Sequence, residues 1–295
     1  MTDNVQQPRP AAGPAEPLAG RRILFIGGGN MASAMIGGLV DSGVPAAQVG
    51  VIEPVAAARQ SLQDRHGITV FADAAGIDAA LRFDAIVLAV KPQQAGAALA
   101  ASRGLLGRNS QAVLISIAAG LDMGLLATMS GGHPRIIRAM PNTPALIGQG
   151  IAGLYAPAGV DPQDRAIAQA ILASTGQVVV VDHEKLIDTV TAVSGSGPAY
   201  AFYLMEAMIE AGIAGGLDAA AARSLAIHTV KGAALLALAS DEAPETLRAR
   251  VTSPAGTTAA AVAVLEQQQV KASIGMAIRA AAVRSRELSE EARGG

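Results

Sequence analysis

Residues 23–34 read ILFIGGGNMASA: a short apolar run breaks on three glycines and resumes as a helix-forming stretch. Gly27, Gly29 and Ala32 stand in G-x-G-x-x-A spacing. After a strand and at the opening of a helix, that spacing is a phosphate-binding turn. Gly27 permits the tight turn, Gly29 lets backbone approach a pyrophosphate, and Ala32 lets helix and strand close up. The helix start adds free N–H groups and a positive dipole end. No other feature restricts the fold as much, because the motif requires a strand on one side and a helix on the other.

The following residues keep that alternation. MASAMIGGLVDSG closes on Gly43, VGVIE leads into a helical stretch from Val55 to His66, and ITVF, DAIVLAV and AVLISIA read as further strands. DAIVLAV and AVLISIA are continuously apolar, as parallel strands buried on both faces are. An α/β, doubly wound parallel sheet is predicted. After RIIRAMPNTPALIGQGIAGLYA and one more strand, GQVVVV, nearly everything is helical, with helices near 184–193, 198–214, 218–240 and 257–291. Three regions are expected: a Pro- and Ala-rich disordered extension over 1–20, a dinucleotide-binding domain over 21–183, and an all-α domain over 184–295. Strips such as AARSLAIHTVKGAALLALA are apolar enough to need burial, against a partner subunit or else within the chain, and the extent of apolar helix surface favours the partner.

Composition excludes several functions. The formal net charge is −2, so neither nucleic acid nor an anionic membrane surface is an expected partner. With no cysteine there is no disulfide, thiolate nucleophile or cysteine-ligated metal, which fits a reducing compartment and leads us to expect the cytoplasm. Arg21 and Arg22 before ILFIGGGNMASAMIGGLV superficially resemble an export leader, but five glycines and an asparagine interrupt the run. No stretch reads as a membrane span. The four histidines, His66, His133, His183 and His228, have neither metal-ligand nor triad spacing, and no metal is expected. So little acid–base apparatus suits reduction of a protonated imine, already electrophilic at carbon, better than reduction of a ketone, whose alkoxide calls for a proton donor.

Further candidate residues follow from position. Glu53 ends the second strand, where an acid holds the ribose hydroxyl of NAD, while Arg59 either contacts a 2′-phosphate or lies on a solvated helix face. NADPH and NADH both remain open. AVKPQ and SIAAG each follow a strand and should line the ligand crevice; Lys91 is either a wall of that crevice or a lysine reaching to water. VSGSGPAYAF places Ser196 and Gly197 ahead of Pro198, and TSPAGTT places Gly256, Thr257 and Thr258 at another helix start. Each is either a simple cap or a nest of N–H groups that grips a carboxylate.

In this order, IGGGNMASAMIGGL, AVKPQ, ISIAAG, MPNTPA, AVSGSGPAYAF and RVTSPAGTTAAAV resemble the pyrroline-5-carboxylate reductases, from about Arg22 to the last helix. The SGSGPAY and TSPxGTT elements are far more specific than the glycine turn. The resemblance implies a Rossmann domain followed by an all-α dimerisation domain, subunits that exchange helices, and assembly as homodimers or pentamers of dimers. It implies reduction of L-1-pyrroline-5-carboxylate to L-proline, the last step of proline biosynthesis, by hydride transfer from NAD(P)H. By resemblance Ile26, Gly27, Gly28, Gly29, Asn30, Met31, Ala89, Val90, Lys91, Pro92, Ala118 and Ala119 touch the nucleotide, with Asn142 near the nicotinamide end. Glu184 falls near substrate, Gly256 and Thr257 present N–H groups to its carboxylate, and the Thr258 hydroxyl bonds the ring nitrogen. Ala255 stands where the family often has glycine, and a positive φ there would be strained. A β-hydroxyacid dehydrogenase or a non-catalytic dinucleotide sensor fits less well: Lys185 and Lys231 lack the expected helix context, and a sensor needs no second anion clamp.

Overall fold

In the computed structural model, residues 16–294 are described. They divide into two compact units, residues 16–195 with 281–294, and residues 196–280. The sequence expectation had put the break after 183. Of the expected disordered extension, residues 1–15 lie outside the described residues. Glu16–Leu18, by contrast, form a 3-10 turn whose Leu18 is buried in the core, so residues 16–20 belong to the packed fold.

The first unit holds β1 (Ile23–Ile26), α1 (Asn30–Asp41), β2 (Val49–Ile52), α2 (Ala56–His66), β3 (Thr69–Phe71) and β4 (Ala85–Leu88). It continues with α3 (Pro92–Ala101), α4 (Arg103–Arg108), β5 (Val113–Ser116), α5 (Met123–Ser130) and β6 (Ile136–Met140). Next come β7 (Gly150–Tyr155), α6 (Pro162–Ala173), β8 (Gly176–Val180) and α7 (Leu186–Val190). The eight strands form one sheet in the order β3-β2-β1-β4-β5-β6-β7-β8. Side chains alternate across it: Ile23 and Phe25 join one buried cluster with Met35 and Leu39, Leu24 and Ile26 the other with Ile86 and Leu99. The doubly wound plan therefore follows from strands that are apolar on both faces.

The sheet is mixed, where an all-parallel one was expected. β7 runs antiparallel to β6, and β8 pairs in parallel with β7. Only residues 141–149 separate β6 from β7, a stretch holding a 3-10 turn over Thr143–Ile147. A parallel return needs a crossover of a dozen residues or more, so the short connection forces reversal. The longer link through α6 then allows β8 to lie parallel to β7.

The second unit contains α8 (Gly197–Ala214), α9 (Ala219–Leu238), α10 (Pro244–Arg250), α11 (Thr257–Gln267) and the start of α12 (Val270–Gly294). The single helix expected over 257–291 is two, broken where Gln269 takes φ 51. The short α10 was not expected. Helices α8 and α9 pack as a hairpin, with a Cβ built on Gly212 only 3.2 Å from the Cβ of Ala222. Buried apolar side chains here are small, Ala222 and Ala226. Large ones stay in solvent in the single chain: Tyr203 is 76% and Leu238 83% exposed, with Phe202, Leu225, Leu235 and Leu265 all above half. The strip on α9 is thus not covered within its own unit, in keeping with a surface that a partner subunit buries.

Candidate functional site

The expected cofactor residues gather at the C-terminal ends of adjacent strands. Ile26 to Met31 follow β1, Glu53 follows β2, Ala89 to Pro92 follow β4, and Ala118 with Ala119 follow β5. The strand order turns back between β1 and β4, which is where a doubly wound sheet opens its crevice. Gly27 takes φ 96, and a Cβ there would meet Val90 Cγ1 at 2.6 Å and the Ala89 carbonyl oxygen at 2.9 Å. Glycine is required on both counts. Gly29 is the N-cap of α1 and makes no side-chain capping bond. A Cβ at Gly29 would have no protein atom within 4 Å. The two glycines thus divide the work: one lets the chain turn against its neighbours, and the other keeps space open in front of the first-turn N–H groups. That cradle fits a pyrophosphate.

Glu53 sits beside the glycine turn. Its Oε2 accepts from the Gly28 N–H at 2.9 Å and its Oε1 from the Val55 N–H at 2.9 Å. One Arg59 guanidinium nitrogen donates to the carbonyls of Glu53 and Pro54, each at 2.7 Å. The arginine therefore curls back to the end of β2 and is not on a solvated face. Lys91 is exposed immediately before α3, with Pro92 in that helix's first turn.

Two expected site residues have structural partners that the sequence did not reveal. Asn142 is buried; its Nδ2 donates to the Ser194 carbonyl at 3.1 Å and its Oδ1 accepts from the Ile151 N–H at 2.9 Å. Its amide thus ties β7 to a π-helical turn over Thr191–Gly195. That turn fills most of the gap expected between helices near 184–193 and 198–214: the chain stays helical through Gly195 and enters α8 at Gly197. A π turn leaves carbonyls displaced from the usual ladder, and Asn142 satisfies one of them. Glu184 Oε1 accepts from Arg138 at 2.6 Å and from the Met123 N–H at 2.7 Å. Arg138 is buried on β6, with only 5% of its side chain exposed. Glu184 thus neutralises a buried cation and holds the first turn of α5.

The chain's last residues brace the loop after β5. Ser289 Oγ donates to the Gly120 carbonyl at 2.6 Å, Leu288 packs on Gly120, and Arg293 pairs with Asp122. Ser285 donates to Asp188 at 2.7 Å in the same strap. No short-range pattern in the sequence signals these contacts.

In the second unit, Gly256 is the N-cap of α11, with no side-chain capping bond. Thr252 spends its hydroxyl on the Arg248 carbonyl at 2.7 Å, whereas Thr257 and Thr258 open the helix. The first-turn N–H groups of a helix lack intrahelical partners, and here they stand beside two hydroxyl-bearing residues, groups of the kind that can hold a carboxylate and a neighbouring polar atom. Ala255 takes φ 60, so the strain anticipated from the sequence is present. Replacing Ala255 with glycine should raise the unfolding midpoint, because relief of about 1–2 kcal/mol of left-handed strain exceeds the added freedom of the unfolded chain. A lower midpoint in a thermal melt would show that the turn does not need this conformation. Ser196 is the N-cap of α8, also without a side-chain capping bond.

The histidines take no part in either place. His66 bonds Ser33 at 3.2 Å, and burial, then Arg65, hold its pKa below the usual value. His133 is buried ahead of β6, and loss of water again lowers its pKa.

A glycine turn at the switch point of a doubly wound sheet, followed by a helical unit, is the plan of a dinucleotide-dependent oxidoreductase. Residues 22–120 match the family described as NADP oxidoreductase, coenzyme F420-dependent, and residues 184–288 that described as pyrroline-5-carboxylate reductase dimerisation. The pyrroline-5-carboxylate reductase of Pseudomonas aeruginosa is 43% identical over 270 residues, 92% of this chain and 97% of the relative. The solved pyrroline-5-carboxylate reductase of Coxiella burnetii has a TM-score of 0.85 at 37% identity, covering 91% of this chain and 98% of that one. That of Plasmodium falciparum, solved with NADP bound, has a TM-score of 0.77 at 29% identity, with 91% and 98% covered. The chain belongs to the pyrroline-5-carboxylate reductase family.

Proposed function

We infer that the chain reduces L-1-pyrroline-5-carboxylate to L-proline with NAD(P)H. The observation that carries this reading is the loop before α11, whose N-cap is a glycine and whose first turn offers Thr257 and Thr258 beside free N–H groups. When bound, the dinucleotide supplies the hydride that converts the ring C=N carbon to a CH2 group. The protein's own part is positioning, which accounts for a large share of such rate enhancements. Backbone N–H groups of Gly256 and Thr257 hold the substrate carboxylate. The Thr258 hydroxyl bonds the ring nitrogen and fixes which carbon faces the donor. Gly27, Gly29 and the start of α1 hold the pyrophosphate, with Lys91 and Pro92 walling the crevice. Asn142 and Glu184 act as positioning residues through the π turn and through Arg138. Proline formed should equal dinucleotide oxidised, one for one, by amino-acid analysis; oxidation without proline would reject the reading.

Cofactor choice rests on the end of β2. Both Glu53 oxygens already accept backbone N–H groups, and Arg59 adds positive charge beside them. A 2′-phosphate therefore meets a guanidinium as well as a carboxylate, and NADPH is accepted alongside NADH. Arg59→Ala should lower kcat/KM with NADPH by about tenfold or more, the worth of one charge-assisted hydrogen bond, and leave NADH nearly unchanged. Equal loss with both cofactors would show that Arg59 only supports the strand end.

The working form is a homodimer built on the helical unit, whose exposed apolar faces need a partner. Pentamers of such dimers and a cytoplasmic location are part of the proposal. No helix among the described residues is long and apolar enough to cross a membrane.

A further inference from the structure

We propose that a second anion site lies at the opposite ends of the strands from the dinucleotide crevice and takes a small phosphate dianion. A cavity of about 430 Å³ opens there among Arg21, Arg82, Asp84, Arg108, Arg135 and Asp164. These residues lie at the N-terminal ends of β1, β4, β5 and β6 or on the helices beside them. The crevice follows the C-terminal ends of β1, β4 and β5. Strands of four residues rising about 3.3 Å each keep the two places roughly 13 Å apart, so one ligand of this size does not fill both.

The charges do not cancel. Asp84 pairs with Arg21 at 2.7 Å and spends its other oxygen on the Arg22 N–H at 2.9 Å. Asp164 takes Arg135 in a two-point pair at 2.6 and 2.9 Å, and the half-exposed Asp161 lies 3.4 Å from the same guanidinium. Arg82 and Arg108 have no carboxylate partner among the described residues. Arg82 donates to the carbonyls of Ala79 and Leu81, and Arg108 to that of Ile77. The Nε of Arg108 is enclosed and donates to nothing. Two guanidinium groups without a carboxylate partner thus line the cavity. The planar forks of arginine match phosphate oxygens in pairs. A doubly charged phosphate can address both guanidinium groups that lack a carboxylate, whereas a monocarboxylate addresses one. The volume admits inorganic phosphate or a sugar phosphate.

The test uses the full chain with saturating NADPH, so that the crevice is filled, at constant ionic strength set with chloride. The thermal midpoint is followed against inorganic phosphate and, in parallel, ribose 5-phosphate. The wild type should be stabilised by at least one of them, and the tighter of the two identifies whether the free ion or the ester is the natural form. Arg82→Gln and Arg108→Gln should each raise the half-saturating concentration by about tenfold, with basal turnover unchanged. Arg82 is exposed, so its variant is expected to fold even where the Arg108 variant does not. No stabilisation of the wild type, or the same half-saturation in the Arg82 variant, would overturn the proposal. General salting-out, or phosphate bound at the substrate loop, would appear as that second result.

Discussion

Thr258→Ala is expected to lower kcat by about 10- to 100-fold while dinucleotide affinity stays as it was. A hydrogen bond to a charged or charging group contributes about 1.5–3 kcal/mol, and each 1.4 kcal/mol is about tenfold in rate. Thr258 stands in the first turn of α11, behind an N-cap glycine that has no side chain to contribute. In the proposed function its hydroxyl addresses the ring nitrogen, while backbone N–H groups address the carboxylate. Thr258→Ser keeps the hydroxyl and should keep most of the rate. Dinucleotide affinity read by fluorescence titration separates this from misfolding. Turnover equal to wild type in the alanine variant would remove Thr258 from the mechanism.

Glu184→Ala should cost stability more than it costs substrate affinity. It leaves the Arg138 cation on β6 with 5% of its side chain exposed and without its carboxylate. Breaking a buried pair by removing one partner costs about 3–5 kcal/mol. The lower end applies here, because Glu184 keeps 29% exposure and water can reach part of the site. Glu184→Gln should lie between, since an amide oxygen still accepts from Arg138 and from the Met123 N–H. The double variant Arg138→Leu, Glu184→Leu should recover much of the loss, because no charge is then stranded. Urea midpoints at matched protein concentration check this, concentration mattering for a dimer. An unchanged midpoint with a raised KM for the imine would instead place Glu184 directly at the substrate.

The parts of this molecule that could be read in the sequence are those whose cause is local. The turn at Gly27 and Gly29 follows from what glycine alone permits, and the helix start after TSPAGTT from residues that cannot continue the preceding turn. The alternation of apolar runs and helices predicted the doubly wound plan, because strands covered on both faces carry few polar positions. What escaped depends on distance in space. The reversal of β7 is set by the length of a connection, not by any residue within the strand. Gln269 breaks a long helix through a backbone angle that its side chain does not advertise. The pairs Arg138–Glu184 and Asn142–Ser194 join residues 46 and 52 apart. Glu184 was therefore placed with the substrate by resemblance, while its visible partners are a buried arginine and a helix start. The uncovered faces of α8 and α9 were legible as apolar strips, yet their burial needs a second chain.

The central claim is imine reduction, and its most direct test is the absorbance of NADPH and NADH during incubation with L-1-pyrroline-5-carboxylate, beside a 3-keto acid as control. The account predicts rapid oxidation with the imine and none above background with the keto acid. Silence with the imine under both cofactors, while the dinucleotide still binds tightly, would contradict it.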